Sequence, residues 1–244
     1  MNVKRWTALL VVGLLLQACA APAIKPLQAQ VEANLPLSAI AYDPQTGTEL
    51  YTRHAAYSDV GGRLTGSSAT YRAPDGAMIA MRRSVYSTEE VMPEVELTMS
   101  DSGETRGLRP FGEGNVLKLW SDNVSVGRAH EDYIRNSKNL FADGDLERYV
   151  LLHLDELESG KDLRARFVSL SALRSGTVHL RKVEGGDEAL TTIEIEASSD
   201  KLISGGRAQL RIDRSAGRFV DYLGPSELVL QPDQPVTVRL VYAY

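Results

Sequence analysis

The sequence contains a single cysteine, Cys19, among its 244 residues. A disulfide framework within the chain is therefore excluded, although exported proteins often depend on one. An excess of basic side chains is also lacking: 27 lysines and arginines stand against 32 aspartates and glutamates, and the formal net charge is -5. Nucleic acids and anionic lipid headgroups both attract basic surfaces. We therefore expect no nucleic-acid partner and no simple electrostatic binding to a membrane.

Motifs for catalysis, metal binding and cofactor binding are missing as well. His153 and Glu156 lie three residues apart, but a structural zinc site takes four ligands and a catalytic one takes three. Residues 198–201 match S-x-x-K, a motif whose serine opens a helix in serine enzymes, whereas here it ends a predicted strand and is interpreted as a turn. No G-x-S-x-G elbow and no glycine-rich phosphate loop before a helix occurs. We predict a protein that is not an enzyme, with no metal and no cofactor.

The first 19 residues have the layout of an export signal. Lys4 and Arg5 form a positive start, and the apolar stretch from Ala8 to Leu16 follows. A membrane-spanning helix needs about 20 apolar residues, so this stretch fits a signal peptide better. The segment Leu16-Gln17-Ala18-Cys19 resembles the lipobox of bacterial lipoproteins.

The lipobox resemblance implies cleavage before Cys19 and acylation of that cysteine, with palmitate-type chains. Ala20, not aspartate, follows it, which in the enterobacterial sorting rule implies the outer membrane, with the body facing the periplasm. More than one acyl chain gives stable anchoring. The alternative is an ordinary secretory signal, cleaved near Ala18, that leaves a soluble periplasmic protein.

We divide the chain into three parts. Residues 1–18 are the predicted signal peptide, 19–39 the lipidated N-terminus with a flexible tether, and 40–244 a single β-rich domain. Prolines in the second part disfavour a continuous helix. No later segment has the apolar length of a spanning helix.

The third part alternates between apolar and polar residues. In 207–213, for example, Ala208, Leu210 and Ile212 alternate with polar side chains. Successive strand side chains point to opposite faces, so this pattern predicts sheets with one dry and one wet face. A weaker helical turn is predicted near 129–139. The pattern predicts about ten or eleven strands, within the spans 48–58, 63–73, 76–86, 94–100, 104–109, 115–120, 123–128, 161–170, 176–184, 190–198, 207–213, 218–223 and 235–244.

One amphipathic helix is predicted at about 143–158, between the two sets of strands. Asp143 or Asp145 would cap its start and Gly160 would close its end. A single apolar stripe at a period of 3.6 residues follows one side of it, and this stripe would pack on the apolar face of the sheet. The stripe consists of Leu146, Tyr149, Val150, His153, Leu154 and Leu157.

This order of elements resembles the β half-barrels of the bacterial envelope: the periplasmic lipoprotein carrier, its outer-membrane receptor and several uncharacterised proteobacterial families. The resemblance covers about 40–244 and includes local patterns such as Tyr42-Asp43 and Asp221 to Ser226. It implies a mainly β fold with a large curved antiparallel sheet around the helix and an apolar hollow. The side chains that would face a ligand in that hollow are Leu146, Tyr149, Val150, Leu154 and Leu157.

Three hypotheses for function follow. The leading one is a non-enzymatic, lipid-anchored envelope protein that binds a lipid, an acyl chain or another hydrophobic ligand in the curved sheet. The second is a structural or interaction subunit of an envelope complex, with a closed core and a protein partner at an edge strand or patch. The third is a cell-wall hydrolase, because glycosidases use a pair of carboxylates. The carboxylate pairs of this sequence are explained better as residues on the solvated face of a strand or as helix caps. The pairs are Glu94 and Glu96, Asp143 and Asp145, and Glu194 and Glu196.

Overall fold

The computed structural model describes residues 34–61, 63–86, 94–137, 139–183, 187–231 and 236–244. The predicted signal peptide, Cys19 and most of the predicted tether lie outside these residues. No helix within the described ranges is long and apolar enough to cross a membrane.

Fifteen strands form one curved, unclosed sheet. All neighbours pair antiparallel except β9 and β10, which run parallel. The order across the sheet is β8-β7-β6-β5-β4-β3-β2-β1-β15-β14-β13-β12-β11-β10-β9, so β8 and β9 are its two edges. The strands are β1 Ser38–Tyr42, β2 Glu49–Val60, β3 Arg63–Arg72, β4 Met78–Val85, β5 Glu94–Met99, β6 Thr105–Phe111, β7 Val116–Asn123, β8 Arg128–Arg135, β9 Leu140–Ala142, β10 Leu163–Ser169, β11 Arg174–Lys182, β12 Leu190–Ala197, β13 Arg207–Asp213, β14 Arg218–Pro225 and β15 Thr237–Ala243.

The antiparallel order gives the sheet two rims. We call the end at which β1 begins the entry rim, because the chain enters the sheet there; it also holds the 112–115 and 214–217 turns. The opposite end, the far rim, holds the 124–127 turn and the 198–206 segment.

The core lies on one face of the sheet. Along β13, Ala208, Leu210 and Ile212 are buried while Arg207 and Gln209 are exposed. The predicted alternation is therefore confirmed, because only the face that packs inward has to be apolar. The mainly β fold with one large curved antiparallel sheet is confirmed too.

The predicted helix is present but broken. α1 spans Leu146–Leu152 and α2 spans Leu154–Glu158, and His153 between them has φ -116° and ψ 13°, outside helical geometry. Gly160 closes α2 as predicted: its φ is 85° and its N–H donates to the Leu157 carbonyl at 3.0 Å. Such a C-terminal residue is commonly glycine because it has no Cβ to clash.

Two predictions at the first edge of the sheet were wrong. Residues 124–127 are a turn where a strand was predicted, and β8 follows where a helical turn was predicted near 129–139. β8 has no apolar alternation, because only Ile134 of its eight residues is buried. An edge strand that buries few side chains does not need alternating apolar and polar residues, so its sequence gives little sign of a strand. β1 and the three-residue β9 were also missed; β1 starts at Ser38, inside the predicted 19–39 segment.

Candidate functional site

The interior of the curved sheet contains charged side chains. Arg53 of β2 donates to Glu147 of α1 at 2.8 Å and to Glu227 at 2.5 Å. Arg82 of β4 reaches the same Glu227 at 3.1 Å, and the Tyr71 hydroxyl donates to it as well. We call Arg53, Tyr71, Arg82, Glu147 and Glu227 the buried charge cluster, because all five residues are buried.

The arginines of this cluster keep the buried carboxylate between them ionised. Burial disfavours the ionised form of Glu227, but the charges of Arg53 and Arg82 outweigh burial and hold its pKa below the usual value. Arg82 passes over Gly144, where a Cβ atom would lie 0.8 Å from the arginine Nη1. Gly144 has φ 79°, a conformation that glycine adopts readily. The cluster therefore depends on a glycine just before α1.

Two further buried carboxyl groups lie beside the cluster, and neither caps the helix as predicted. The Asp143 carboxylate accepts the Leu170 N–H at 2.6 Å, and Asp145 accepts the Tyr86 hydroxyl at 2.8 Å. Asp145 is the N-cap residue of α1 but makes no side-chain capping bond. Burial raises the pKa of Asp143 to about 7 and that of Asp145 to about 6.

The predicted ligand-facing side chains lie in the packed core. Tyr149, Val150 and Leu157 are buried, and the Tyr149 ring stacks on Phe141 with centroids 4.6 Å apart. Leu146 and Leu154 are partly buried against the same core. The cavity beside α1, between Phe167, Tyr222 and Tyr242, has a volume of about 20 Å³. This is room for one water molecule and not for an acyl chain, so contact of these residues with a ligand stays a prediction.

A larger cleft, of about 480 Å³, opens at the far rim beside the edge strand β8. Its volume falls within the range of ligand pockets. Leu173, in the turn between β10 and β11, has φ 49°, a backbone conformation that is costly for leucine. The cleft is lined by His130 and Asp132 of β8, by residues 172–176, and by Ser198, Ser199, Lys201 and Leu202.

Two cations of the cleft have no partner among the described residues. Arg174 and Lys201 are exposed, and their side chains make no hydrogen bond or ion pair within the described ranges. The one carboxylate that lines the cleft belongs to Asp132, which accepts the Tyr133 N–H at 2.8 Å. The cleft is therefore locally basic in a chain whose net charge is -5.

The register of β8 shows which backbone groups face away from the sheet. Hydrogen-bonded and non-hydrogen-bonded pairs alternate along an antiparallel ladder. The Asn136 N–H donates to the Asn115 carbonyl at 3.0 Å. Asn136 and Asn115 are therefore a hydrogen-bonded pair, and every second pair along β8 is of the same kind. The N–H groups of His130, Asp132 and Ile134 thus face β7.

The intervening residues of β8 turn their backbone groups outward. These residues are Ala129, Glu131, Tyr133 and Arg135, and the Tyr133 N–H is occupied by Asp132. Within the described ranges, no backbone hydrogen bond involves the other three N–H groups. β8 therefore has an open hydrogen-bonding edge at the cleft.

Amide hydrogen exchange should alternate along β8. We expect the N–H groups of Ala129, Glu131 and Arg135 to exchange fast, and those of His130, Asp132 and Ile134 to be protected by their bonds to β7. Residue-resolved exchange by nuclear magnetic resonance measures this pattern. Uniform protection along β8 would mean that something already covers the edge.

The other residues singled out in the sequence do not form a cluster. His153 contacts Glu156 at 2.9 Å, and Glu156 also pairs with Lys161. Within the described residues, no group of three potential metal ligands occurs. Glu94 and Glu96 are exposed, whereas Glu194 is buried beneath Arg181, which donates to it at 2.6 Å. Of the carboxylates paired in the sequence, Asp143 contacts a serine, since the Ser169 hydroxyl donates to it at 3.1 Å. The cavity beside it has a volume of about 20 Å³, which is too small for a sugar or peptide substrate.

The serine–lysine motif forms a turn at the cleft. The Lys201 N–H donates to the Ser199 hydroxyl at 3.2 Å, and no helix starts at Ser198. The sequence also contains an S-D-N tripeptide, residues 121–123, which our sequence reasoning overlooked; it ends β7, and Ser121 pairs with His130. The third motif of that enzyme class, K-T-G, does not occur in the sequence.

No protein-family model matches this chain, and no match was found among curated proteins. Three solved chains match it. One is the crystal structure of a beta-barrel-like protein of domain of unknown function DUF1849 from Brucella abortus, with a TM-score of 0.40 and 10% identity, over 86% of this chain and 97% of that one. A likeness of this strength carries no conclusion about function.

Proposed function

We propose that this protein is a lipid-anchored envelope protein that binds an extended, acidic segment of a partner protein at the free edge of β8. The open edge of β8 beside the basic cleft carries the proposal. An extended peptide that pairs with an exposed strand gains backbone hydrogen bonds, and pockets for alternate side chains give selectivity. Natural edge strands are usually covered or carry charged side chains that oppose unspecific pairing. β8 carries such charges, but it also has three outward N–H groups with no backbone partner within the described ranges, so it could pair with a segment of complementary charge.

The side chains of the cleft would determine which segments bind at β8. Side chains of an added strand alternate between the two faces of the sheet. The cleft lies on the side of His130 and Asp132, which is also the side of the buried Ile134, so every second side chain of the added strand would point toward it. Arg174 and Lys201 would then attract carboxylates. The proposal therefore names an acidic segment.

The filled interior supports this function over ligand burial in the sheet. An acyl chain would have to displace the buried charge cluster or the aromatic packing of Phe141 and Tyr149. The cavity beside α1 holds about 20 Å³. Opening it would expose paired charges to an apolar ligand, which is costly.

Crosslinking in cells with a matched pair of variants tests the proposal. A photoreactive amino acid replaces Ala129, an exposed residue of β8 whose backbone groups face the free edge. We expect an adduct whose peptide, identified by mass spectrometry, is an acidic segment of another protein. Glu131→Pro in the same chain should abolish the adduct, because proline removes an outward N–H but no bond to β7.

Glu131→Ala is the control, since it removes the side chain that pairs with Lys118 and keeps the N–H. If the adduct survives Glu131→Pro, the edge N–H is not used and strand addition is wrong. If both variants abolish it, the side chain is what the partner reads. A basic or apolar segment in the adduct would contradict the role of Arg174 and Lys201.

A further inference from the structure

Exposed apolar side chains lie at both rims of the sheet, but the exposed aromatic ones lie at the entry rim. The last residues of β2, β4 and β6 all lie there; they are Val60, Val85 and Phe111, and all three are exposed. At the far rim, Met78, Val124 and Val126 are exposed too, but none of them is aromatic. Within the described residues, the exposed aromatic side chains are Phe111, Tyr133 and Tyr244, and all three lie at the entry rim. The pairing of the strands does not require this difference between the rims.

The same rim carries further apolar and aromatic groups. Leu37, just before β1, is 52% exposed, and Tyr244, just after β15, is 42% exposed. Tyr133 near the end of β8 packs edge-on against Phe111, with ring centroids 5.0 Å apart. The guanidinium of Arg218 lies over the Tyr244 ring, 4.8 Å from its centroid. Tyrosine and arginine side chains of this kind suit the boundary between lipid and water.

The described chain begins at this rim. Residue 34 lies against the 214–217 turn, since a Cβ atom on Gly217 would come within 3.1 Å of the Asn34 amide. Residues 20–33 separate Cys19 from this point, and a flexible chain of that length has a root-mean-square span of roughly 20 Å. A lipid on Cys19 would therefore hold the entry rim, rather than the far rim, next to the bilayer.

We infer that the entry rim rests on the lipid surface, so that β8 and the basic cleft at the far rim face the periplasm. The apolar strand ends would enter the headgroup region, where burial of such side chains is favourable. This orientation rests on the lipid anchor included in the proposed function, but not on strand addition. It keeps the partner site open while the protein stays anchored.

Two equally exposed valines allow a matched test. Val60 at the entry rim is 72% exposed and Val124 at the far rim is 80% exposed. Each is replaced in turn by cysteine in the full lipoprotein, where acylation leaves the Cys19 thiol unavailable, and is labelled with an environment-sensitive fluorophore. The labelled proteins are reconstituted in vesicles of phosphatidylethanolamine and phosphatidylglycerol, and flotation verifies that they are anchored.

We expect Val60→Cys to show a shift of emission to shorter wavelength and quenching by spin-labelled lipids, and Val124→Cys to show neither. If the protein floats with the vesicles but the two labels behave alike, or the Val124 label is the one quenched, the orientation is wrong and the anchor stands. If the protein does not float, the anchor itself is wrong and the orientation falls with it. Neither result changes the crosslinking test at Ala129.

Discussion

Replacing Glu227 by alanine is expected to lower the free energy of unfolding by about 3–5 kcal/mol, because removal of one partner from a buried ion pair leaves the other charge uncompensated. Arg82 would lose the carboxylate that it contacts at 3.1 Å, and Arg53 would lose one of two. In the folded wild type these guanidinium groups have little contact with solvent, since Arg53 and Arg82 are 2% and 4% exposed. Urea denaturation followed by circular dichroism measures the loss.

Glu96→Ala is the control for this prediction. Glu96 lies on β5 with its side chain exposed, so its replacement should change stability by no more than about 0.5 kcal/mol. An effect of Glu227→Ala as small as that of the control would show that the buried charge cluster adds nothing to the stability of the fold.

The Asp143→Asn variant is expected to become more stable than the wild type as the pH rises. Burial raises the pKa of Asp143 from 3.8 to about 7 in the folded protein. The folded state therefore binds more protons than the unfolded state between these values, and wild-type stability from this group falls as the pH rises through that window. The difference between the two pKa values corresponds to a loss of stability of roughly 4 kcal/mol at most. Asparagine does not titrate, so the variant escapes the loss.

Urea denaturation at pH 4 and at pH 8 checks the sign of this effect. The stability difference between Asp143→Asn and the wild type should be larger at pH 8. Asp145→Asn should act in the same direction over a narrower window, since the pKa of Asp145 is raised to about 6. A difference for Asp143→Asn that stays constant between the two pH values would mean that this carboxyl group does not titrate in the window.

The buried charge cluster also explains why the interior is closed. It joins β2, β4, the start of α1 and the segment after β14, and these are far apart in the chain: Arg53 and Glu227 are separated by 174 positions. Such a network holds the helix against the sheet with fixed geometry. The cavity that remains beside α1 has a volume of about 20 Å³, so this part of the interior has no room for an acyl chain.

Much of the sheet was predictable because each strand with one buried face records that burial in its own residues. β13, with Ala208, Leu210 and Ile212 turned inward, is an example. β8 was missed because an exposed edge strand is under no such constraint. The break at His153 was missed for a different reason: the apolar stripe continues through it, so the period of 3.6 residues does not change.

The charge cluster left a weak signal that sequence reasoning did not use. Arg53 is in phase with Tyr51 on the buried face of β2, and Arg82 is in phase with Ala80 on that of β4. A charged residue in phase with an apolar face is a candidate for a buried ion pair. Its partner could not be found in the same way, because Glu147 and Glu227 lie in different parts of the chain.

The amino-acid sequence by itself determined the mainly β architecture and the position of the helical region, since the alternation of a strand and the period of a helix are local properties of the chain. Only the tertiary structure decided that the interior is filled by paired charges, that β8 is an open edge and that a basic cleft lies beside it. These features depend on which distant residues meet, and the energy of a buried charge or an unpaired backbone group exists only once its neighbours are in place.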